Sequence, residues 1–252
     1  MFDLDAATRQ ARSLEQIEHR PWLVPTRPWT MGQTLDDVLL AHWRVPFDDL
    51  RARVPAELEV EQHSGSAWLG IVAFRVSSVR LRGLLPLPGL SSFRELNVRT
   101  YVRAPDGKPG VWFFSLDLSS RLVVEAARRL VRLPYFLARI AADPDGAWID
   151  QECVRLDERG RVFSARYRPE GAVFQATPGS LEWFLAERYC LYATDEHGAL
   201  QRAEIHHPRW SLQRADVEVE LTSIAPLELR GAPLCHFSRR QDVVIWRLEA
   251  VL

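Results

Sequence analysis

Residues 93–103, FRELNVRTYVR, alternate strictly. Leu96, Val98, Thr100 and Val102 fall on one face, and Glu95, Asn97, Arg99, Tyr101 and Arg103 on the other. A side-chain period of two belongs to a β-strand and not to a helix. The turn PDGKP follows, and Val111–Leu118 returns as the aromatic strand VWFFSLDL. The two strands predict a hairpin whose exposed tip carries Lys108. A fold for this chain must be built around a sheet.

Strand patterns recur on both sides of this hairpin. LLAHWRV and the long segment Ala67–Arg82 are rich in β-branched and aromatic residues. AWIDQECVRL and RVFSARYR predict a second hairpin around the turn DERG. ALQRAEIHH, ADVEVELTS and DVVIWRLEAV predict three closing strands. Helices are few. A polar one ends before Pro21, and PFDDLRARVP is a short helical excursion closed by Pro55. Thr177 and Pro178 open a short helix over SLEWFLAERYCLY. Arg121–Ala142 is the main helix candidate. Leu122, Val123, Ala126, Ala127 and Leu130 recur at helical spacing, and Pro134 must kink or end it. PWLVPTRPW is extended, and LLPLPGLSS is a loop. No repeat or linker divides the chain. Residues 1–252 therefore read as one α+β, mostly β domain, a sheet curled around a core. Residues 1–28 form its N-terminal helix and extended arm.

Composition excludes several functions. Thirty-two basic residues against 33 acidic ones give a net charge of −1, so no nucleic-acid partner is expected. No apolar run reaches the ~18 residues of a membrane helix. Asp3 and Asp5, with no apolar stretch after them, argue against a secretory leader. Cys153, Cys190 and Cys235 are widely spaced and show no metal-ligand spacing. Reduced thiols in a cytoplasm, with no metal and no cofactor, are the expectation. Lys108 is the one lysine, so any amine chemistry must pass through it. The sequence has no glycine-rich phosphate loop, no G-x-S-x-G and no H-E-x-x-H.

The stripe Glu95–Asn97–Arg99–Tyr101 carries the most chemistry. A carboxylate, an amide, a guanidinium and a phenol on one face suit a small polar ligand. Arg99 can bind a carboxylate through two hydrogen bonds. Glu95 can act as acid or base if burial raises its pKa. The alternative is the solvated face of a half-buried strand. His206 and His207 are adjacent in a strand, so they point to opposite faces and do not pair as metal ligands. One packed and one solvated histidine is the simpler reading. Glu187, Arg188 and Tyr189 on the second helix suggest an internal ion pair. Arg128, Arg129, Arg132 and Arg139 suggest a solvated helix face.

The runs WLGIVAFRV, LPLPGLSSFRELNVRTYV, GKPGVWFFSLDLSS and AARRLVRLPYFLA, with FLAERYCLY and HHPRWSLQRA, resemble the YqjF-like family of uncharacterised bacterial proteins. The resemblance covers about Trp29 to Ala215. That family is similar in turn to acetoacetate decarboxylase, which implies a cone-shaped β-barrel with a few flanking helices. Oligomers are frequent on that fold, so a homo-oligomer is implied. Glu95 in FRELNV falls where the decarboxylase has an active-site glutamate. ARRLVRLPYF falls where the decarboxylase carries a proline followed by paired lysines. Here Pro134 is followed by Tyr135 and Phe136, so the Schiff-base lysine and its neighbouring ammonium are absent. The resemblance thus implies a pocket without decarboxylase chemistry. Glu95 and Tyr135 become the expected catalytic residues of a lysine-independent lyase, hydratase or isomerase acting on a keto or enol compound. Asn97, Arg99, Tyr101, Trp68, Phe114 and His207 become the expected ligand contacts. A non-catalytic ligand-binding or regulatory protein, or a structural one, is the alternative.

Overall fold

The computed structural model describes residues 4–87, 89–157 and 159–251. Helix α1 (Leu4–Arg12) leads through an extended arm to β1 (Met31–Val45) and a single turn, α2 (Phe47–Arg51). Short strands β2 (Glu59–Val60) and β3 (Gln62–His63) precede the long β4 (Ser66–Leu81), β5 (Phe93–Arg103) and β6 (Pro109–Leu118). Helix α3 (Arg121–Leu130) is followed by β7 (Tyr135–Asp145), β8 (Trp148–Arg155) and β9 (Val162–Phe174). After α4 (Leu181–Ala186) come β10 (Cys190–Thr194), β11 (Leu200–His206), β12 (Leu212–Thr222), β13 (Leu234–Ile245) and β14 (Glu249–Ala250). The mostly β architecture agrees with the sequence reading.

All these strands belong to one sheet that returns on itself twice. The larger ring runs β6-β7-β8-β9-β12-β13-β1-β4-β5 and closes because β5 pairs with β6. The smaller ring runs β6-β10-β11-β13-β1-β4-β5 and closes because β11 pairs with β13. Strands β1, β4, β5, β6 and β13 are common to both.

Where both rings enclose it, the shared wall has no solvent face, and residues 67–74 of β4 show the consequence. Ala67, Leu69, Ile71 and Ala73 pack with Phe163, Ala165 and Phe237 in the larger ring. Val72, Phe74 and Val76 pack with Trp210 and Val243 in the smaller one. A strand buried on both faces reads as a nearly continuous apolar run, which is how residues 67–76 read. Strand β5 obeys the same rule with a polar second face. Leu96, Val98 and Val102 enter the core of the larger ring, so Glu95, Asn97, Arg99 and Tyr101 are turned to the smaller ring.

The N-terminal helix stops at Arg12, with a 3-10 turn over Ser13–Glu15, and two other expected helices give way to strands part-way along their sequence patterns. The candidate over 121–142 is helical only to Leu130, and residues 135–145 are strand β7. The Ser120 hydroxyl caps α3 by accepting from the Val123 N–H. Pro134 then denies the helix an N–H donor. Beyond it, Tyr135, Phe136 and Leu137 pair in parallel with Leu116, Asp117 and Leu118 of β6. Arg139 therefore lies on a strand and faces Glu152, and Arg132 bonds Glu196 at 2.7 Å, so the four arginines form no common face. The second helix stops at Ala186, and Cys190–Thr194 is strand β10, running parallel to β6. Ring closure outweighs local helical spacing in both places. Strand β13 starts earlier than expected, at Leu234. In the DERG turn, residue 158 lies outside the described residues.

Charged groups inside the frame are paired. Arg155 bonds Asp117 through two nitrogens at 2.7 and 3.0 Å, and the Ser115 hydroxyl donates to the same carboxylate at 2.8 Å. Glu204 anchors the N-terminal arm, accepting from Arg20 at 3.1 Å and from the Trp22 indole at 2.8 Å. It also takes Lys108 at 2.9 Å, so the hairpin tip is not free as its turn sequence suggests. The smaller ring depends on the close approach of β6 to β10. A Cβ on Gly110 would lie 2.7 Å from both the carbonyl oxygen and the sulfur of Cys190. Backbone on one side leaves little room to yield. Gly110→Ala is expected to lower stability in urea unfolding by about 1–3 kcal/mol. A wild-type midpoint would show that this seam can part without cost.

Candidate functional site

The interior of the smaller ring holds a cavity of about 150 Å³. Its apolar wall includes Val72, Phe74, Phe113, Leu116, Leu191 and Ile245, and its polar wall consists of Glu95, Asn97, Arg99, Tyr135, Arg188 and His207 with Gln33. The strand period explains the polar wall: residues 95, 97 and 99 are alternate positions of β5, and all face one way. Tyr135 arrives from β7, whose first residue pairs with Leu116. Its neighbour Phe136 turns away and lies under the Arg155 guanidinium, 3.9 Å from ring centre to cation.

Arg99 and Arg188 have different electrostatic surroundings. Arg188 is buried and forms an ion pair with Glu61, which also holds Arg103. Arg188 also donates to the Phe184 carbonyl at 2.6 Å and lies over the Phe184 ring. Arg99 has no carboxylate within ion-pair distance among the described residues. Among the described residues it donates a long hydrogen bond, 3.4 Å, to the Leu185 carbonyl and lies beside the Tyr101 phenol, both uncharged partners. Its Nε is buried and unbonded, as are Asn97 Oδ1 and the Trp210 indole nitrogen on the same cavity. Buried polar atoms are rarely left without partners, because each costs about 1–3 kcal/mol. Three on one small cavity mark a place where a ligand can supply the missing bonds.

Burial shifts the titrating groups. It raises the Glu95 carboxyl from 4.5 to about 7. A hydrogen bond from Asn97, 3.4 Å long, opposes that shift, and the nearby Asp117 charge adds to it. Burial and Glu95 both push the Tyr135 phenol upward, so it stays protonated at neutral pH. Burial lowers His207, with Glu187 and two backbone carbonyls opposing. His207 stacks on Tyr189 at 4.7 Å, and its two ring nitrogens lie 2.9 Å from the Pro208 oxygen and 3.2 Å from the Arg188 oxygen.

The structure brings together five of the eight residues singled out from sequence: Glu95, Asn97, Arg99, Tyr135 and His207. Tyr101 is displaced one layer behind them. It is fully buried, and its hydroxyl lies 2.7 Å from His42 Nε2. Trp68 packs in the same apolar cluster as Tyr101 and does not reach the cavity. Phe114 is turned to the other side of β6 by an irregularity opposite Val98 and Arg99, and Phe113 takes the cavity position. His206 and His207 do diverge, but both are buried, and His206 lies 2.8 Å from the Ser13 carbonyl. Glu187, Arg188 and Tyr189 do not pair as an ion pair among themselves. Glu187 accepts from the Tyr189 hydroxyl and from the Trp210 N–H, while Arg188 goes to Glu61. Arg188 and Trp210 are cavity residues that sequence reading missed. Their one signal was a charged and an aromatic residue at the ends of apolar elements.

Residues 32–242 match the family model DUF2071, whose description is "Uncharacterized conserved protein". The chain belongs to this family. It is 40% identical over 239 residues to the uncharacterized protein YqjF of Bacillus subtilis (strain 168), covering 93% of this chain and 98% of that one. Among solved structures, the enduracididine biosynthesis enzyme MppR complexed with pyruvate is similar at a TM-score of 0.63 and 13% identity, covering 92% of this chain and 93% of that one. Acetoacetate decarboxylase from Legionella pneumophila is similar at 0.60 and 13%, covering 93% and 92%. An acetoacetate decarboxylase-like enzyme from Sphingomonas wittichii RW1 is similar at 0.61 and 15%, covering 92% and 98%. At these identities the likeness is one of fold, and it agrees with the decarboxylase-like fold expected from sequence. Among the described residues, no helix is long and apolar enough to cross a membrane.

The raised Glu95 carboxyl has a measurable consequence. It is protonated in the folded state up to about pH 7 and ionises near 4.5 when unfolded. Folding stability from this group is therefore full below pH 4.5 and is lost as pH rises through 7. Glu95→Gln is expected to match wild type at pH 4.5 and to exceed it by on the order of 1–3 kcal/mol at pH 8.5 in urea unfolding. Equal stability at both pH values would mean that the carboxyl is not raised.

Proposed function

We propose that the smaller-ring cavity binds a small keto or enol carboxylic acid, with Arg99 holding the carboxylate and Glu95 exchanging a proton. The observation that carries this reading is the Arg99 guanidinium, which lines the cavity without a carboxylate partner. An unpaired cation against apolar walls attracts an anion more strongly than it would in water. A cavity of about 150 Å³ suits such a molecule. Apolar cavities of that size are known to admit benzene, about six heavy atoms. The fold relative MppR is complexed with pyruvate, a molecule of similar size and charge.

The chemistry open to this site is proton transfer. Ionised Glu95 takes a proton from carbon next to the ligand carbonyl, and the electron pair moves onto the carbonyl oxygen. The Tyr135 phenol, kept protonated by burial, donates a hydrogen bond to that oxygen. Return of the proton to a different carbon is an isomerisation, and loss of hydroxide from the next carbon is a dehydration. An imine route is not part of this reading. Tyr135 follows Pro134, and Lys108 is bound to Glu204 outside the cavity. The reading includes a cytoplasmic setting, since Cys153, Cys190 and Cys235 are free and buried.

A thermal-shift titration tests it with pyruvate, acetoacetate and the neutral analogue acetone. The two acids are expected to raise Tm in wild type, acetone is not, and Arg99→Ala should abolish the rise. Stabilisation that survives Arg99→Ala removes Arg99 from the site. With a bound acid, exchange of its α-hydrogens for deuterium is followed by NMR. Glu95→Gln should slow that exchange by 10²-fold or more. Binding without exchange in wild type assigns the cavity to ligand binding alone.

A further inference from the structure

A second, larger cavity lies elsewhere, at the mouth of the larger ring. It measures about 620 Å³ and lies among β4, β5, β7, β8, β9, β12 and β13. Its lining is cationic and aromatic. Arg75, Arg94 and Arg239 contribute positive charge against one lining carboxylate, Asp37. Two of the three arginines are neutralised, Arg75 by Asp36 at 3.0 Å and Arg239 by Asp37 at 2.8 Å. Arg94 is not: its guanidinium donates to the Ala142 carbonyl at 3.1 Å and has no carboxylate partner among the described residues.

A second polar group points to the same space. Tyr167 lines the cavity with only 1% of its surface exposed. Its hydroxyl forms no hydrogen bond among the described residues, and it feels the charges of both Asp37 and Arg94. The hydroxyl is not sealed off and stands open to a ligand in the cavity. Gln151, 4% exposed, donates to the Glu152 carbonyl, while its own side-chain oxygen accepts nothing. Phe237, 6.3 Å from the Tyr167 ring, supplies the aromatic wall, while the Trp148 ring lies on the outer face of β8 beneath Arg166 and Arg168.

We propose that this cavity is a second, separate ligand site that takes a planar aromatic carboxylate. Arg94 and Tyr167 hold the carboxylate, and the ring packs against Phe237. The two sites are separable by ligand size. The smaller-ring cavity, about 150 Å³, excludes a bicyclic acid that the 620 Å³ cavity admits. They are also separable by residue, since Arg94 and Arg99 line different cavities.

Isothermal titration calorimetry with 2-naphthoate tests the proposal, with 2-naphthalenemethanol as the uncharged control. Wild type is expected to bind the acid with a sub-millimolar Kd and the alcohol at least tenfold more weakly. Arg94→Gln should weaken the acid tenfold or more, and Tyr167→Phe several-fold. Arg99→Ala should leave it unchanged. Tyr167→Phe keeps the ring and its packing, so it serves if Arg94→Gln does not fold. Equal binding of acid and alcohol, loss of binding in Arg99→Ala alone, or no heat with 2-naphthoate at millimolar concentration each overturns the proposal.

Discussion

A wall buried on both faces has no solvent into which to discharge a polar side chain. Strands β1, β4, β5, β6 and β13 are such a wall over most of their length, because both rings pass through them, although Arg75, Arg239 and Arg240 reach solvent. A charge buried in that wall must be paired, neutralised or left for a ligand. Asp36 is held by Arg75 and Arg240, and Asp117 by Arg155. Glu95 is moved toward neutrality by burial. The Arg99 guanidinium has no carboxylate partner among the described residues. The candidate site follows from that remaining imbalance.

The same constraint explains how closely the rings are built. Gly110 lets β6 approach β10, and Gly70 lies where a Cβ would meet the His42 ring at 3.0 Å and the Tyr101 hydroxyl at 3.3 Å. Tyr101 is thereby fixed behind Arg99, with its ring 5.9 Å from the guanidinium. On the far side, Glu61 takes both Arg103 and Arg188. Arg188 is thus spoken for, and Arg99 is the cavity cation that remains available. Tyr135, which also lines the cavity, is a hydrogen-bond donor and not an amine nucleophile.

Much of this was legible in the chain. The alternation over 93–103 named β5 and its polar stripe, and Tyr135 after Pro134 was named as a residue of the site. The errors share one cause. Residues 135–145 and 190–194 lie in segments whose apolar spacing resembles a helix, and each becomes a strand because the edge of β6 not taken by β5 pairs in parallel, with β10 at residues 111–112 and with β7 at residues 116–118. Parallel partners are distant in sequence and leave no local mark. Phe113 and Phe114 present the same difficulty on a smaller scale. Adjacent aromatic residues are equivalent by composition, and only an irregular register opposite Arg99 decides which one faces the cavity.

The sequence by itself determined that the chain is sheet-rich, that one strand carries a carboxylate, an amide, a guanidinium and a phenol on a single face, and that no amine is available beside them. Those are consequences of residue identity and a period of two. The tertiary structure alone decided that this face looks inward, that Arg188 is neutralised while Arg99 is not, and that Arg94 and Tyr167 meet at a second cavity. Burial and ion pairing depend on residues tens to hundreds of positions apart, and local spacing carries no record of them.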